Sequence, residues 1–229
     1  MGKNQRGLQA LDKVNQHLLK AALRKRKGVT LDIDATEIIS QKAEAKWIYN
    51  KNLGYIPMVG HIAEVGMVVA CDFREGNQPP AKDNLAFMEQ CQSSLPDGRF
   101  VQNLRIDAAG YQVKIIQHCE QYKLYYAIRA KMSASIKKQI EALGDKDWQP
   151  LIYKNGEQSC SQNTCRIVHW MTNHETPLNL VIQCKTLKGQ SDLALDEIIA
   201  DTTEISHQGY LYRAIVCNRE EWTDSQIIH

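Results

Sequence analysis

The sequence lacks an apolar run of the roughly 18 residues that a membrane-spanning helix needs. Its longest apolar run, residues 65–71, has the length of a strand. No Gly-rich phosphate loop and no GxSxG nucleophile elbow is present, which removes the commonest signals for P-loop NTPases and α/β-hydrolases. The N-terminus is basic but has no apolar segment, so we expect no signal peptide. The cysteine count of seven is odd, and we expect free cytosolic thiols.

The 229-residue chain is 43% hydrophobic and 24% charged, which is typical of a soluble globular protein with one large domain or two small ones. Its net charge of +2 is unevenly distributed. Residues 1–27 contain eight Lys or Arg and one Asp, a net charge of +7, so the remaining residues carry −5. The basic segment ends in Arg24, Lys25, Arg26 and Lys27. This distribution favours a polyanionic partner, and a solvated helix face is the alternative.

Hydrophobic periodicity predicts the elements of the N-terminal half. Apolar residues at spacings of three and four predict an amphipathic helix over 7–26. Alternation of apolar and acidic residues predicts a strand over 29–36. Residues 55–63 and 65–74 have the composition of two further strands with a short turn between them. We expect these two strands to pair antiparallel, so that three strands form a meander.

After this meander the pattern changes to alternating helices and strands, which indicates a mixed sheet with helices on its faces. The predicted elements are helices near 85–91, 113–119 and 133–143, and strands at 101–106 and 123–128. Residues 147–202 predict a β-rich insertion rather than a separate domain. A strand at 210–217 follows, and Thr223 with Gln226 fits a capping box at the start of a final helix.

Two carboxylates lie on the first predicted strand, where alternation places Asp32 and Asp34 on one face. Central strands of α/β sheets are usually apolar on both faces, so two acids there need a cation or a metal ion. Asp107 ends a later strand, a position in the usual crevice of such sheets. If the two strands are neighbours, the acids converge as oxygen ligands for Mg²⁺ or Mn²⁺, which suits phosphoryl transfer. The alternative is that these aspartates cap helices or pair with Arg105 or Arg74.

Two other groups of residues have a weaker pattern. Cys160, Cys165, His169 and His174 have only three residues between the second Cys and the first His, where zinc fingers need about a dozen. We interpret them as separate thiols and imidazoles. Aromatic and basic side chains interleave at Trp47, Tyr49 and Tyr55 with Lys42, Lys46 and Lys51. This interleaving suits contact with nucleic acid, and a mixed solvated surface is the alternative.

Five segments, in order along nearly the whole chain, resemble the DDE-type transposases of insertion sequences. The first is Leu-Asp-Ile-Asp-Ala-Thr at 31–36, and the fourth is Leu-Arg-x-Asp-x-Ala-Gly-Tyr at 104–111. The others are at 42–57, 73–77 and 218–229. Each motif alone is modest, but the ordered set is specific. It resembles the group with a β-rich insertion in an RNase H-like core.

The resemblance implies an α/β fold with an RNase H-like mixed sheet and an inserted β-rich subdomain. It implies a Mg²⁺- or Mn²⁺-dependent enzyme that cuts DNA at element ends and joins the 3′-hydroxyl to target DNA. The first family acid corresponds to Asp34, with Asp32 as the alternate, and the second to Asp107. Residues 1–28 then form the end of a DNA-recognition region, and 29–229 form the catalytic core. A homodimer is possible in a full-length assembly.

The third family acid, a Glu on a helix, has no match before the sequence ends at His229. We therefore expect a core that is incomplete at both ends and, by itself, inactive. One alternative is a non-catalytic DNA-binding remnant that uses the basic helix. Another is a small cytosolic α/β protein with no role on nucleic acid. The resemblance implies a bacterial cytoplasmic location, associated with the nucleoid when the protein is bound to DNA, and no membrane partner.

Overall fold

The computed structural model describes residues 3–187 and 203–228 of the chain. The fold is mixed α/β and divides into two compact units. Unit 1 contains residues 1–109 and 122–124, and unit 2 contains 110–121 and 125–229. The last 15 residues of the predicted insertion, 188–202, lie outside the described residues. The domain boundaries stay a prediction. No helix in the described ranges is long and apolar enough to cross a membrane.

Unit 1 is a four-stranded sheet with a small second sheet and two helices. The main sheet has the strand order β6-β5-β1-β7, and the small sheet has the order β2-β4-β3. Its elements are α1 (Lys3–Ala22), β1 (Gly28–Ala35), β2 (Ile38–Ile39), β3 (Lys46–Trp47), β4 (Leu53–Tyr55), β5 (Met58–Ile62), β6 (Met67–Asp72), α2 (Asn84–Ser93) and β7 (Phe100–Ile106). The strands β1, β5 and β6 form the predicted antiparallel meander, and β7 adds to β1 in parallel.

The core of unit 1 lies against one face of the main sheet. Leu31 and Leu104 are opposite each other in the parallel register, and Ile33 is opposite Ile106. All four side chains are buried. This apolar layer stabilises β1 and β7 as neighbours, because a slip of one residue would turn every buried side chain to the other face.

The helix α1 differs from its prediction in two ways. It ends at Ala22, four residues earlier than expected, and the Arg99 guanidinium donates hydrogen bonds to the carbonyl oxygens of Leu23 and Arg24 just beyond it, at 2.9 and 3.3 Å. Leu19 in the last turn and Leu23 after it are buried, whereas three members of the apolar stripe that predicted the helix, Leu11, Val14 and Leu18, are exposed. Among the side chains of α1 that the structure describes, the buried apolar contact with the core of unit 1 is thus made near the C-terminal end.

Unit 2 is a mostly antiparallel sheet with three helices. Its elements are α3 (Val113–Gln121), β8 (Tyr125–Arg129), α4 (Ala134–Glu141), β9 (Gln149–Ile152), β10 (Gln158–His169), β11 (Leu178–Thr186), β12 (Glu204–His207), β13 (Tyr210–Cys217) and α5 (Asp224–Ile228). The strand order is β8-β13-β11-β10-β9, and β12 pairs with β13. Of the strands predicted within the insertion, β11 pairs directly with the strand at 210–217, and β10 and β9 extend the sheet beyond β11.

The predicted capping box at the start of α5 forms in full. The Thr223 hydroxyl accepts a hydrogen bond from the Gln226 backbone N–H at 3.3 Å, and the Gln226 side-chain oxygen accepts one from the Thr223 N–H at 2.9 Å. Ile227 then packs with Val181 and Cys217 in the core of unit 2. The short helix is stabilised by these tertiary contacts, since one turn is not stable alone in water.

Candidate functional site

The candidate site lies on the polar face of the unit 1 sheet, opposite its apolar core. Asp32 and Asp34 alternate with buried residues along β1, as their spacing predicts. Asp32 is opposite Arg105 on β7, and Thr30 is opposite Asn103, whose side-chain amide donates to the Thr30 hydroxyl at 3.0 Å. On β1 and β7 this face is therefore lined by polar and charged groups.

The parallel register brings Asp34 and Asp107 together at the carboxyl ends of their strands. The last registered pair is Ile33 with Ile106, and the two aspartates are the next residue on each strand. Neighbouring strands lie about 4.8 Å apart, and residues two positions beyond Asp32 and Arg105 share their face. Both aspartates are exposed. Two carboxylates therefore project from adjacent strand ends on the same side of the sheet.

Each of these two carboxylates is oriented by its own backbone. The Asp34 Oδ1 atom accepts a hydrogen bond from the Ala35 N–H at 2.9 Å. The Asp107 Oδ1 atom accepts one from the Ala109 N–H at 2.9 Å, at the start of a short 3-10 turn. Small residues at these positions leave the strand ends accessible. We refer to Asp34 and Asp107 as the acid pair.

Asp32 has a different environment from the acid pair. Its Oδ1 atom accepts a hydrogen bond from Arg105 Nε at 2.5 Å, and its Oδ2 atom contacts Arg105 Nη2. The His61 Nε2 atom lies 3.3 Å from the same carboxylate. The hydrogen bond to Asp32 is the main cause that raises the pKa of Arg105 above its usual value. The alternative of pairing with Arg105 therefore describes Asp32, whereas Arg74 pairs with Asp72 at 2.7 Å.

The loop between β3 and β4 contacts a further carboxylate, Glu37. The Asn50 side-chain amide donates a hydrogen bond to this carboxylate. Burial raises the pKa of Tyr49, and the Glu37 hydrogen bond and the charges of Glu37, Asp107 and Asp34 raise it further. Both members of the acid pair thus act on one hydroxyl. Sequence reasoning missed Glu37, although it follows Asp34 by only three residues.

The donor chemistry of the acid pair fits a hard divalent cation. Mg²⁺ is commonly bound by one or two carboxylates, with water and substrate phosphate oxygens as the other ligands. Within residues 3–187 and 203–228, no group of three or more His, Cys, Asp or Glu side chains has a geometry that could hold a metal ion. Asp34 and Asp107 therefore offer two of the ligands that such a site requires.

The four clustered cations form an exposed basic segment. Arg24, Lys25, Arg26 and Lys27 lie in the turn between α1 and β1, and all four are exposed. The carbonyl oxygen of Lys27 accepts a hydrogen bond from the Phe100 N–H at 3.0 Å, which fixes the end of the turn. The segment therefore presents four positive charges from an ordered backbone.

The Cys and His residues of the second cluster have separate partners in unit 2. The His169 Nδ1 atom lies 3.1 Å from the Gln139 side-chain oxygen. The His174 Nδ1 atom lies 2.7 Å from the Thr176 carbonyl, and its Nε2 atom lies 3.2 Å from Glu120. Cys160 is exposed, whereas Cys165 is buried. Each imidazole is thus part of its own local hydrogen-bond network.

Comparison with known proteins agrees with the resemblance. The family model described as transposase DDE domain group 1 matches residues 3–223. A solved structure titled "Cryo-EM structure of piggyBac transposase synaptic complex with hairpin DNA" is similar at 11% sequence identity with a TM-score of 0.47. The similarity covers 94% of this chain but only 44% of that one. No curated protein matches the sequence.

Proposed function

Because the chain belongs to the transposase DDE domain group 1 family, we propose that it is the core of a DNA transposase that cleaves DNA and transfers strands. The observation that carries this proposal is the β1–β7 register, which sets Asp34 and Asp107 side by side at two parallel strand ends. The meander followed by alternating helices and strands is, in our proposal, an RNase H-like core.

We assign the metal-binding role to Asp34 and Asp107, and not to Asp32. Members of this family generally use a divalent metal ion. Asp34 and Asp107 would hold such an ion, and the chemistry it would supply is Lewis-acid activation of the attacking oxygen and neutralisation of charge on the leaving oxygen of a phosphodiester. Asp32 already accepts charge-assisted hydrogen bonds from Arg105 on both of its oxygens, so a metal ion there would have to compete with the guanidinium. Its role is to hold Arg105 on the polar face beside the acid pair.

Two carboxylates alone bind a divalent ion more weakly than three. We therefore expect the 229-residue chain by itself to have little or no metal-dependent nicking activity, because no third acid joins the acid pair in the described part of the chain. Any residual nicking in Mn²⁺ should depend on the acid pair, and a third carboxylate supplied in a full-length assembly would raise the rate.

A plasmid-nicking assay with Mn²⁺ tests this assignment. Asp34→Asn and Asp107→Asn should each lower the nicking rate at least about tenfold, the scale of losing a metal ligand's contribution. Asp97→Asn, an exposed acid outside both strands, serves as the matched control and should retain the rate. Equal nicking by Asp34→Asn and the parent chain would refute the assignment.

DNA is the proposed partner, and the exposed basic segment supports a second candidate function, DNA binding without catalysis. Replacing Arg24, Lys25, Arg26 and Lys27 with Gln would leave the buried α1 contacts intact. If each of the four cations contacts one phosphate, the slope of the logarithm of the DNA association constant against the logarithm of salt concentration should be smaller in magnitude by up to about 3.6 in this variant than in the parent chain. An unchanged slope would remove this segment from the DNA interface. A DNA partner would place the protein at the bacterial nucleoid.

A further inference from the structure

The small sheet of unit 1 leaves two large aromatic side chains uncovered. Trp47 is 65% exposed and Tyr49 is 71% exposed, while Ile48 between them is 3% exposed. This alternation is the one expected when one side of an extended segment packs inward and the other faces solvent. We call Trp47 and Tyr49 the aromatic tip. Large apolar side chains grouped on a surface commonly mark an interaction site.

The aromatic tip is held by a defined turn. The Ile48 N–H donates to the Asn52 carbonyl at 2.7 Å, and the Lys51 N–H donates to the Ile48 carbonyl at 3.0 Å. The Asn50 side-chain oxygen also accepts from the Asn52 N–H at 3.2 Å. Glu37 then fixes the turn through the side-chain amide of Asn50. The rings are therefore presented by a pre-ordered backbone, which lowers the entropy cost of binding.

The charges around the aromatic tip and its location favour a nucleic acid as its ligand. Lys42, Lys46 and Lys51 are exposed on the same small sheet and its loops, within the part of the chain that has a net charge of −5. Aromatic faces stack on nucleobases, and lysines meet the phosphates that link them. The turn that carries the tip is hydrogen-bonded through Asn50 to Glu37, which follows Asp34 by three residues. A strand on the aromatic tip would therefore lie near the proposed reaction centre.

We propose that the aromatic tip binds an unpaired nucleotide of a DNA strand, by stacking bases on Trp47 and Tyr49, next to the acid pair. Stacking needs a free base face, so this surface recognises single-stranded or frayed DNA rather than an intact duplex. Glu37 holds the tip in place but does not contact the DNA bases. The proposal rests on the proposed function, because it places the bound strand at the carboxylates that would act on it.

Binding to a thymidine strand of about 16 nucleotides, within the site size of single-strand binding folds, tests the proposal. Fluorescence anisotropy is measured at low salt in EDTA, against a fully paired duplex of the same length. Trp47→Ala and Tyr49→Ala should each weaken single-strand binding about tenfold, the loss expected for one stacked base. Duplex affinity should change less than about twofold. Trp170→Ala removes another exposed tryptophan, at 63% exposure, and should leave both affinities unchanged.

Three results would overturn the proposal. Unchanged single-strand affinity in both tip variants would show that the rings do not stack on bases. Equal losses for single strand and duplex would indicate a general effect on fold or charge. Self-association of the parent chain that disappears in Trp47→Ala would assign the tip to a second copy of the protein. Because EDTA removes metal-dependent chemistry, a failure of the metal assignment leaves this readout unaffected.

Discussion

Gly76 should be indispensable for the packing of the small sheet, and Gly76→Ala tests that expectation. A Cβ atom added there would lie 2.5 Å from the Gly54 carbonyl oxygen, 2.6 Å from the Lys46 carbonyl oxygen and 2.9 Å from Ile48 Cγ1. The two oxygens belong to β4 and β3, which pair with each other, so neither moves without disturbing the sheet. Overpacking of this kind costs about 1–3 kcal/mol.

For a chain of this length, that loss corresponds to a fall in Tm of about 2–12 °C. Gly7→Ala is the matched control, because it makes the same substitution in α1 with no atom within 4 Å of the new methyl group. There we expect a gain of about 0.5–1 kcal/mol, since Ala favours the helix. Differential scanning calorimetry measures both. If Gly76→Ala had the same Tm as the parent chain, the close approach of β3, β4 and Gly76 would be wrong. The position of the aromatic tip on this sheet would then be wrong as well.

Three further predictions concern stability and thiol reactivity. Arg105→Gln removes the charged hydrogen bonds to Asp32, and urea unfolding should show a loss of about 1–2 kcal/mol for this partly exposed pair, whereas a loss under about 0.3 kcal/mol would contradict it. Burial lowers the pKa of His169 below its ordinary value of 6.5, so the folded state binds this proton less readily than the unfolded state, and the free energy of unfolding decreases as the pH falls below that value. Urea unfolding should therefore give a lower free energy of unfolding at about pH 5.5 than at about pH 7.5, and His169→Asn should make this pH difference smaller. An equal pH difference in the parent chain and in His169→Asn would refute the role of His169. Iodoacetamide with mass spectrometry should label exposed Cys160 well before Cys91, whose pKa burial raises to about 12, and equal labelling rates would contradict the buried placement.

Much of the fold could be predicted because local pattern and tertiary packing agree. The alternation over 29–36 predicted β1 because its apolar residues all face one core. The small sheet of residues 38–55 was missed, because strands of two or three residues have no measurable period. The strand β10 begins at Gln158 within a polar segment, and its extent comes from pairing with β9 and β11 rather than from its own composition.

The candidate site could be predicted only in part, for a related reason. Spacing placed Asp32 and Asp34 on one face but could not show which of them is the candidate metal ligand. The neighbouring strand makes this distinction, because Arg105 lies opposite Asp32 and Asp107 follows Ile106. Register between strands distant in sequence is not encoded in either strand alone. The turn that carries Tyr49 likewise depends on a contact between Asn50 and Glu37, which neither segment's own pattern encodes.

Titration of Mn²⁺ into the chain, with each variant's affinity measured by electron paramagnetic resonance, tests the central assignment most directly. The account predicts that Asp34→Asn and Asp107→Asn each weaken Mn²⁺ binding at least about tenfold, because each removes one of two carboxylate ligands. Asp32→Asn should leave the affinity within about twofold of the parent chain, because Arg105 already engages that carboxylate. Loss of binding in Asp32→Asn with full binding in Asp34→Asn would contradict the account.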